Sequence, residues 1–404
     1  MCEHVAPSLH PGSADLKPLL EPEQTDSAQQ TEDNNIVSSL AFPRMLDRRE
    51  NLEPRHTNTC QWILDLEKYR SWRSEPRGLL WIKGKPGAGK STLMAFLHSR
   101  LKSVQIDDQG IQLDFFFTAR GTELQRTPLG MLRSLVNQIF VQDPTIRPQV
   151  RETYRERRER FGYAESQWSW PQAILESLLE AVILASGSQR LVVVFVNALD
   201  ETGPESAIYL ANYFHRLLGR ADKQGAAVRI CISCRHYPII GSTHAMEIWV
   251  EEHNGRDIAA YVQDTLAETE MEMEAIGTPS EGSRQMLIAN LIQQANCVFQ
   301  WARLIIPHTR RRLDEGQSFQ TIYNWLREIP PDLEDVYQYI LTHVIEVWNL
   351  KESLQLFQWL CLAERPLTVV ELRYAMAAGN AEISNFQMPM EHVPGFIQSD
   401  KLRS

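Results

Sequence analysis

Residues 84–91 read Gly-Lys-Pro-Gly-Ala-Gly-Lys-Ser, and residues 79–83 before them are typical of a buried strand. Glycines at the first, fourth and sixth positions let the backbone curl so that successive N–H groups face a phosphate, and the following helix adds its positive dipole end. In this motif Lys90 reaches the β- and γ-phosphates and Ser91 ligates Mg²⁺. The spacing therefore predicts a nucleoside triphosphate site, with binding residues Gly84, Lys85, Pro86, Gly87, Ala88, Gly89, Lys90, Ser91 and Thr92.

A second apolar run, residues 191–196, is followed by Asn197, Asp200 and Glu201. A buried strand ending in acids is the form in which phosphate-loop ATPases hold Mg²⁺ and the attacking water. Asn197 puts a neutral amide where a carboxylate usually holds the hydration shell of the metal, which weakens the case for fast hydrolysis. We expect Ser91 and Asn197 at the metal, and Asp200 and Glu201 as catalytic groups that accept a proton from water. The alternative is a buried strand that ends in an acidic turn.

A third apolar run, residues 228–233, leads to Arg235. Open α/β sheets bind their ligands outside the carboxyl ends of the strands, where a guanidinium can pair with a phosphate. We therefore expect Arg235 to act with the catalytic groups as a sensor of the γ-phosphate. A surface arginine at a strand end is the alternative.

Strand-like runs alternate with helical patterns as far as residue 250. Continuous β-branched and aromatic runs suit a parallel sheet that is covered on both faces, and alternation of strand and helix is typical of doubly wound α/β folds. The sequence thus predicts an α/β P-loop NTPase domain with a parallel doubly wound sheet, followed by an α-helical domain. The five runs are residues 79–83, 111–117, 191–196, 228–233 and 247–250.

Composition and periodicity divide the chain into five parts. The composition of residues 1–37 predicts a disordered tail, because the segment has too little apolar surface to offset the loss of conformational entropy on ordering. Residues 38–77 are expected to pack on the NTPase domain, which spans 78–252. A helical domain follows at 253–330. Residues 331–404 begin with helical periodicity and then lose it, which predicts an incomplete last domain.

Charge and hydropathy limit the partners. The formal net charge of −10 argues against nucleic acid as a general partner. The arginine-rich residues 147–160 also contain glutamates at helical spacing, which predicts a solvated helix face. No apolar run is long enough to span a bilayer, and the first residues lack a signal-peptide core, so we expect a cytoplasmic protein without a membrane partner.

Several motifs in order resemble one family, the fungal NACHT-type ATPases of the STAND class, in particular their nephrocystin-like N-terminal domains. The resemblance covers about residues 38–378 and includes the phosphate loop and its strand. Further matches are Ser39-Leu40-Ala41-Phe42-Pro43, Asp47-Arg48-Arg49, Glu53-Pro54, Ala198-Leu199-Asp200-Glu201, Ile232-Ser233-Cys234-Arg235-His236-Tyr237-Pro238, His253-Asn254, Asp257-Ile258, Val298-Phe299-Gln300-Trp301-Ala302 and Ile329-Pro330-Pro331-Asp332-Leu333-Glu334.

The resemblance implies an NLR-like switch that binds ATP or ADP with Mg²⁺ between the α/β domain, the helical domain and a winged-helix domain. It implies signalling in self-recognition or immunity, with protein partners met through effector and repeat modules, and nucleotide-dependent homo-oligomers. Both flanking modules are expected to be missing here, and residues 331–404 to be a truncated, partial winged helix. Asn197 departs from the acid that is usual in the family, so the resemblance implies slow hydrolysis or binding alone.

Two other functions remain open from the residues. One is a non-catalytic interaction fragment of a larger repeat-containing protein, in which nucleotide only stabilises the fold. The other is a phosphate-loop kinase of small molecules. The long helical appendage and the Asp200-Glu201 pair, which suits water, disfavour the kinase.

Overall fold

Five parallel strands form the central sheet of the computed structural model. They are Gly78–Lys83 (β1), Ile111–Phe116 (β2), Val192–Asn197 (β3), Val228–Cys234 (β4) and Met246–Trp249 (β5). They lie in the order β2-β3-β4-β1-β5, so β4 separates β1 from β3. The structure describes residues 22–104, 110–162, 169–236, 246–267, 281–344, 349–363 and 367–379.

Successive side chains of each strand enter two different cores. In β1, Leu79 and Trp81 pack on one face of the sheet, while Leu80 and Ile82 pack on the other. Every residue of β3 is buried. A parallel sheet needs such cover on both faces, because its helical crossovers lie above and below it. The predicted parallel doubly wound α/β fold is confirmed by the arrangement of these strands and helices.

Helices supply both layers around the sheet. None of the described helices is long and apolar enough to cross a bilayer. In the first 267 residues they are Pro22–Leu40 (α1), Asp47–Glu50 (α2), Glu67–Ser74 (α3), Lys90–Val104 (α4), Glu123–Arg126 (α5), Pro128–Gln142 (α6), Arg147–Phe161 (α7), Gln172–Gly187 (α8), Pro204–Gln224 (α9) and Gly255–Ala267 (α10). Helix α4 covers the face that receives Leu80, and α6, α8 and α9 cover the other.

A second body of helices, which we call the helical module, has a core of its own. It consists of α10 followed by Glu281–Ala295 (α11), Phe299–Asp314 (α12), Phe319–Glu328 (α13) and Leu333–Tyr339 (α14). Its core contains the fully buried Trp301 and Val336. The indole N–H of Trp301 donates to the carbonyl of Pro330 at 2.9 Å. Helix α14 lies beyond the boundary predicted after residue 330 and packs into the core of the module that precedes it. The boundary itself stays a prediction.

Two further helices, Leu350–Leu362 (α15) and Val369–Gly379 (α16), end the described part of the chain. They contact each other through the side-chain amide of Gln355, which donates to the carbonyl of Met376 at 3.0 Å. Residues 380–404 lie outside the described residues. The partial winged helix at 331–404 stays a prediction.

The N-terminal region differs from the predicted tail, because residues 22–40 form helix α1. Ile36 and Leu40 of α1 are fully buried in the core on the α6 side of the sheet. The carboxylate of Asp33 accepts two hydrogen bonds from Arg151 of α7, at 2.7 and 2.9 Å. Arg155 pairs in the same way with Glu32. The disorder predicted for 22–37 is therefore wrong, while residues 1–21 lie outside the described residues. Helix α7 also has the solvated face that was predicted, because Glu152, Glu156, Glu159 and Arg160 are exposed.

We expect the Asp33→Ala variant to loosen α1, because Asp33 is buried and its loss leaves Arg151 without its main partner. The free energy of unfolding should fall by about 1–3 kcal/mol, measured by urea denaturation. The neighbouring Asn34→Ala, at an exposed position of the same helix, is the control and should change it by less than about 0.5 kcal/mol. Equal effects of the two substitutions would show that the ion pair does not hold α1.

Candidate functional site

The phosphate loop, residues 84–91, connects β1 to the start of α4. Gly87 has φ 74° and Gly89 has φ 102°, values that favour glycine. At Gly84 an added Cβ would lie 2.8 Å from a carboxylate oxygen of Glu251, so a side chain here would displace that carboxylate. These glycines allow a tightly curled loop of the kind whose N–H groups converge on a phosphate.

The side chain of Lys90 folds back over this loop. Its ammonium group donates to the carbonyls of Gly84 and Lys85, at 2.8 and 2.9 Å. Burial lowers the pKa of Lys90, and the nearby carboxylate of Asp200 opposes that shift. The ammonium therefore lies at the mouth of the loop, where phosphate oxygens can replace the two carbonyls as acceptors. The placement fits the role predicted for Lys90.

Asn197 ends β3 and contacts Ser91 across the sheet edge. Its amide N–H donates to Ser91 Oγ at 3.1 Å. Its Oδ1 accepts from the Ser233 hydroxyl at 2.7 Å, while that hydroxyl accepts from the backbone N–H of Ala198 at 2.9 Å. The Ser233 hydroxyl thus accepts from Ala198 and donates to Asn197, and this pairing turns the amide N–H of Asn197 toward Ser91. Asn197 thus presents a donor to Ser91, whereas a cation requires an oxygen.

The acids after Asn197 lie on a 3₁₀ turn, Leu199–Thr202, and point to different partners. Asp200 Oδ2 lies 3.0 Å from Arg235 Nε, and Oδ1 accepts from the backbone N–H of Arg235 at 3.1 Å. Glu201 instead accepts from the backbone N–H of Ala119, at 2.7 Å. Consecutive residues of a 3₁₀ helix lie about 120° apart, which separates the two carboxylates. The structure brings Asp200 and Arg235 together and places Glu201 against the loop after β2.

A cleft beside the loop contains residues to which sequence reasoning gave no role. It lies between the loop, the helical module and residues 53–62, which we call the N-terminal segment. Asp257 of α10 accepts from the backbone N–H of Cys60 at 2.7 Å and from the indole N–H of Trp62 at 3.0 Å. The Trp62 ring stacks on His253. Lining residues include Glu53, His56, Thr92, Leu93, Asn254, Phe299 and Arg303.

The signal for this cleft was present in the sequence. Glu53-Pro54, His253-Asn254 and Asp257-Ile258 are among the motifs that carry the family resemblance. They lie about 200 residues apart, and only the folded chain brings them together: Cys60 and Asp257 are 197 positions apart in the sequence. Glu53 also forms an ion pair with Arg303 of α12. The N-terminal segment therefore connects the sheet domain to the helical module.

Comparison with known proteins gives similarities of sequence and of structure. The family model described as nephrocystin 3, N-terminal, matches residues 58–235. The vegetative incompatibility protein HET-E-1 of Podospora anserina is 23% identical over 324 residues, which are 77% of this chain. The chain spans only 22% of the length of that relative.

Two solved structures resemble parts of the chain. PCH-2 of C. elegans is 10% identical with a TM-score of 0.31, covering 78% of this chain and 68% of that one. The Walker-type ATPase paby2304 of Pyrococcus abyssi is 14% identical with a TM-score of 0.36, covering 81% and 91%. The fold assignment itself rests on the order and direction of the five strands.

We expect the Cys60 thiol to report on the packing of the N-terminal segment. Burial, with a contribution from Asp257, raises the pKa of Cys60 to about 11. At pH 8 its alkylation by iodoacetamide should be roughly 100-fold slower than that of the exposed Cys361, as followed by peptide mass spectrometry. Asp257→Ala should accelerate it by releasing the segment, and Asp314→Ala, at an exposed end of α12, should not. Similar rates at Cys60 and Cys361 in the unmodified chain would contradict the packing described above.

Proposed function

We propose that this chain, which matches the nephrocystin 3 N-terminal family model over residues 58–235, is an NLR-like P-loop NTPase switch. It binds ATP or ADP with Mg²⁺ and turns nucleotide over slowly or not at all. In this proposal the N–H groups of the loop and the Lys90 ammonium bind the β-phosphate. Ser91 contributes a ligand to Mg²⁺, whose remaining ligands are phosphate oxygens and water. Bound Mg²⁺ neutralises phosphate charge.

The cleft lined by Trp62, Thr92 and Phe299 is proposed to receive the nucleoside. It lies beside Gly89 and Thr92, so a nucleotide whose phosphates occupy the loop has its base and sugar next to it. Aromatic rings with a few polar groups are the usual lining of such a pocket. A bound nucleoside would then contact the N-terminal segment and the helical module at once.

The orientation of Asn197 is the observation that carries the binding-only part of the proposal. Its amide N–H faces Ser91, and its oxygen is already bonded to Ser233. The two nearby acids also have partners, Arg235 for Asp200 and the backbone N–H of Ala119 for Glu201. A site with a complete phosphate-loop motif but without a carboxylate at position 197 favours binding nucleotide over hydrolysing it.

The signalling part of the proposal has separate support. HET-E-1 is by its name a vegetative incompatibility protein, and 77% of this chain aligns with it. By analogy we place this chain in NLR-like self-recognition or immune-type signalling, with protein partners met through effector and repeat modules. Nucleotide-dependent homo-oligomers, a cytoplasmic location and a winged helix at 331–404 belong to the same proposal.

Nucleotide binding should depend on Lys90. We expect Lys90→Met to weaken the binding of a fluorescent ADP analogue at least about tenfold, because it removes a charged hydrogen bond to phosphate. Lys223→Met makes the same exchange at an exposed position near the end of α9 and should leave the affinity unchanged. If the wild-type chain bound no nucleotide while remaining folded, the proposed function would be wrong.

Hydrolysis should increase when a carboxylate replaces Asn197. We expect Asn197→Asp to raise Mg²⁺-dependent phosphate release by about tenfold or more, because the carboxylate restores a position that can order the hydration of the metal. The gain should vanish in the double variant with Ser91→Ala, which removes the hydroxyl ligand. Release by the wild-type chain at ordinary enzyme rates, about 1–10³ s⁻¹, would rule out the switch in favour of a metabolic NTPase.

A further inference from the structure

The phosphate loop has a second face, formed by its carbonyl groups, and the helical module binds to it. The backbone N–H of Gln300, in the first turn of α12, donates to the carbonyl of Gly87 at 3.0 Å. The side-chain amide of Asn254 donates to the carbonyl of Ala88 at 3.0 Å and to that of Cys297 at 2.8 Å. Two adjacent peptide groups of the loop are therefore held from the side opposite to their N–H groups.

Packing at Gly87 is as tight as the hydrogen bonding. An added Cβ there would lie 2.7 Å from the Cβ of Gln300, and 3.1 Å from methyl groups of Val298 and Leu333. Real Cβ atoms are not found so close to a neighbouring Cβ. Gly87 thus lacks a side chain for two reasons, its positive φ and the approach of two helices of the module.

The turn that carries Gln300 is strained. Asn296 and Cys297 have φ values of 44° and 63°, in the left-handed region, which is unfavourable for a cysteine. Such strain persists only where the surrounding structure imposes it, and it concentrates at functional sites. Here the carbonyl of Cys297 accepts the hydrogen bond from Asn254, and the next residue, Val298, packs against Gly87.

Asn254 itself is 3% exposed and lies between α10 and the end of β5. Its two N–H donors are both used, whereas its Oδ1 is buried with no hydrogen-bond partner among the described residues. An unpaired buried oxygen is unfavourable, because it has lost its hydrogen bonds to water. The two N–H donors of Asn254 therefore explain its position, because they connect a carbonyl of the loop to a carbonyl of the module.

We infer that Asn254 and the turn of residues 295–300, together called the clamp, position the phosphate loop and couple its phosphate-binding form to the docking of the helical module. The inference deepens the proposed function and rests on it for the identity of the ligand. A nucleotide that fixes the N–H face of the loop also fixes its carbonyl face. By linkage, docking of the module then raises nucleotide affinity by the same factor as nucleotide favours docking.

The test uses two proline substitutions at equivalent positions. Gln300 and Gln320 are each the second residue of a helix, and both helices, α12 and α13, begin Phe-Gln. The chain tolerates proline there, since Pro148 is the second residue of α7. Gln300→Pro removes the N–H that binds Gly87 and puts a ring carbon in its place. Gln320→Pro makes the same change at an exposed residue whose side chain bonds to Asn324.

We expect Gln300→Pro to weaken ADP binding about fivefold, the loss of one hydrogen bond, and Gln320→Pro to leave it within twofold. Amide exchange without nucleotide should be at least about fivefold faster in residues 298–303 of Gln300→Pro than in the same residues of Gln320→Pro. In the wild-type chain ADP should slow exchange at this turn. Equal ADP affinity and equal exchange in the two variants would overturn the inference.

Asn254→Ala provides a second, independent variant. If docking is one cooperative event, either substitution alone undocks the module. The loss of ADP affinity in the double variant Asn254→Ala with Gln300→Pro should then be smaller than the sum of the losses in the two single variants. Strict additivity would show two unconnected contacts and no clamp. The two proposals fail separately: a chain that binds no ADP would defeat the proposed function, while the exchange comparison without nucleotide would still decide whether the clamp exists.

Discussion

All five strands of the sheet run in the same direction, and each alternates its side chains between two apolar faces, so both faces must be covered. That requirement explains the crossover helices and also the position of α1. Ile36 and Leu40 of α1 belong to the same core as Trp81 of the central strand. Parallel strands also end together at one edge. The loop after β1, Asn197 at the end of β3 and Arg235 after β4 therefore lie at the same edge of the sheet without any special connection.

At that edge the polar groups bond to one another within the protein. Lys90 binds carbonyls of its own loop, Asp200 pairs with Arg235, and Asn197 joins Ser91 to Ser233. These bonds hold the side chains near the positions from which they would bind a phosphate. Phosphate binding must then break these internal hydrogen bonds, which is energetically unfavourable. Of these groups Arg235 is the most exposed, with 55% of its side chain accessible, and so it is the one that can move most freely.

Local sequence patterns predicted the sheet well, because each strand is a continuous apolar run between polar residues. The same patterns failed at residues 22–37. That segment is acidic and polar, and the arginine that orders it, Arg151, is 118 positions away from Asp33. Composition measures how much apolar surface a segment carries, whereas α1 is held by its ion pairs with α7 and by a few apolar side chains.

A large separation in the sequence also explains which contacts of the candidate site could not be predicted. The loop and the acids after β3 follow local rules of spacing and could be identified from the sequence. Asn254 bonds to a loop carbonyl 166 positions away, and Asp257 to an amide 197 positions away. The orientation of the Asn197 amide depends on Ser233, which lies on the next strand. Contacts of this kind follow from the topology of the sheet and the docking of the helical module, and no periodicity encodes them.

In the proposed switch, ATP and ADP must differ in what they contact, since a ligand moves an equilibrium only by its different affinities for the two states. The loop, Lys90 and the nucleoside cleft are common to both nucleotides. The γ-phosphate is the only added group, and the cation in line to receive it is Arg235, which would have to exchange Asp200 for a phosphate oxygen. The clamp transmits occupancy of the loop, whichever nucleotide is bound. On this reasoning the clamp distinguishes a filled site from an empty one, while the Asp200–Arg235 pair distinguishes ATP from ADP. Because position 197 carries no carboxylate, the γ-phosphate is removed slowly, and the difference between the ATP-bound and ADP-bound states therefore persists.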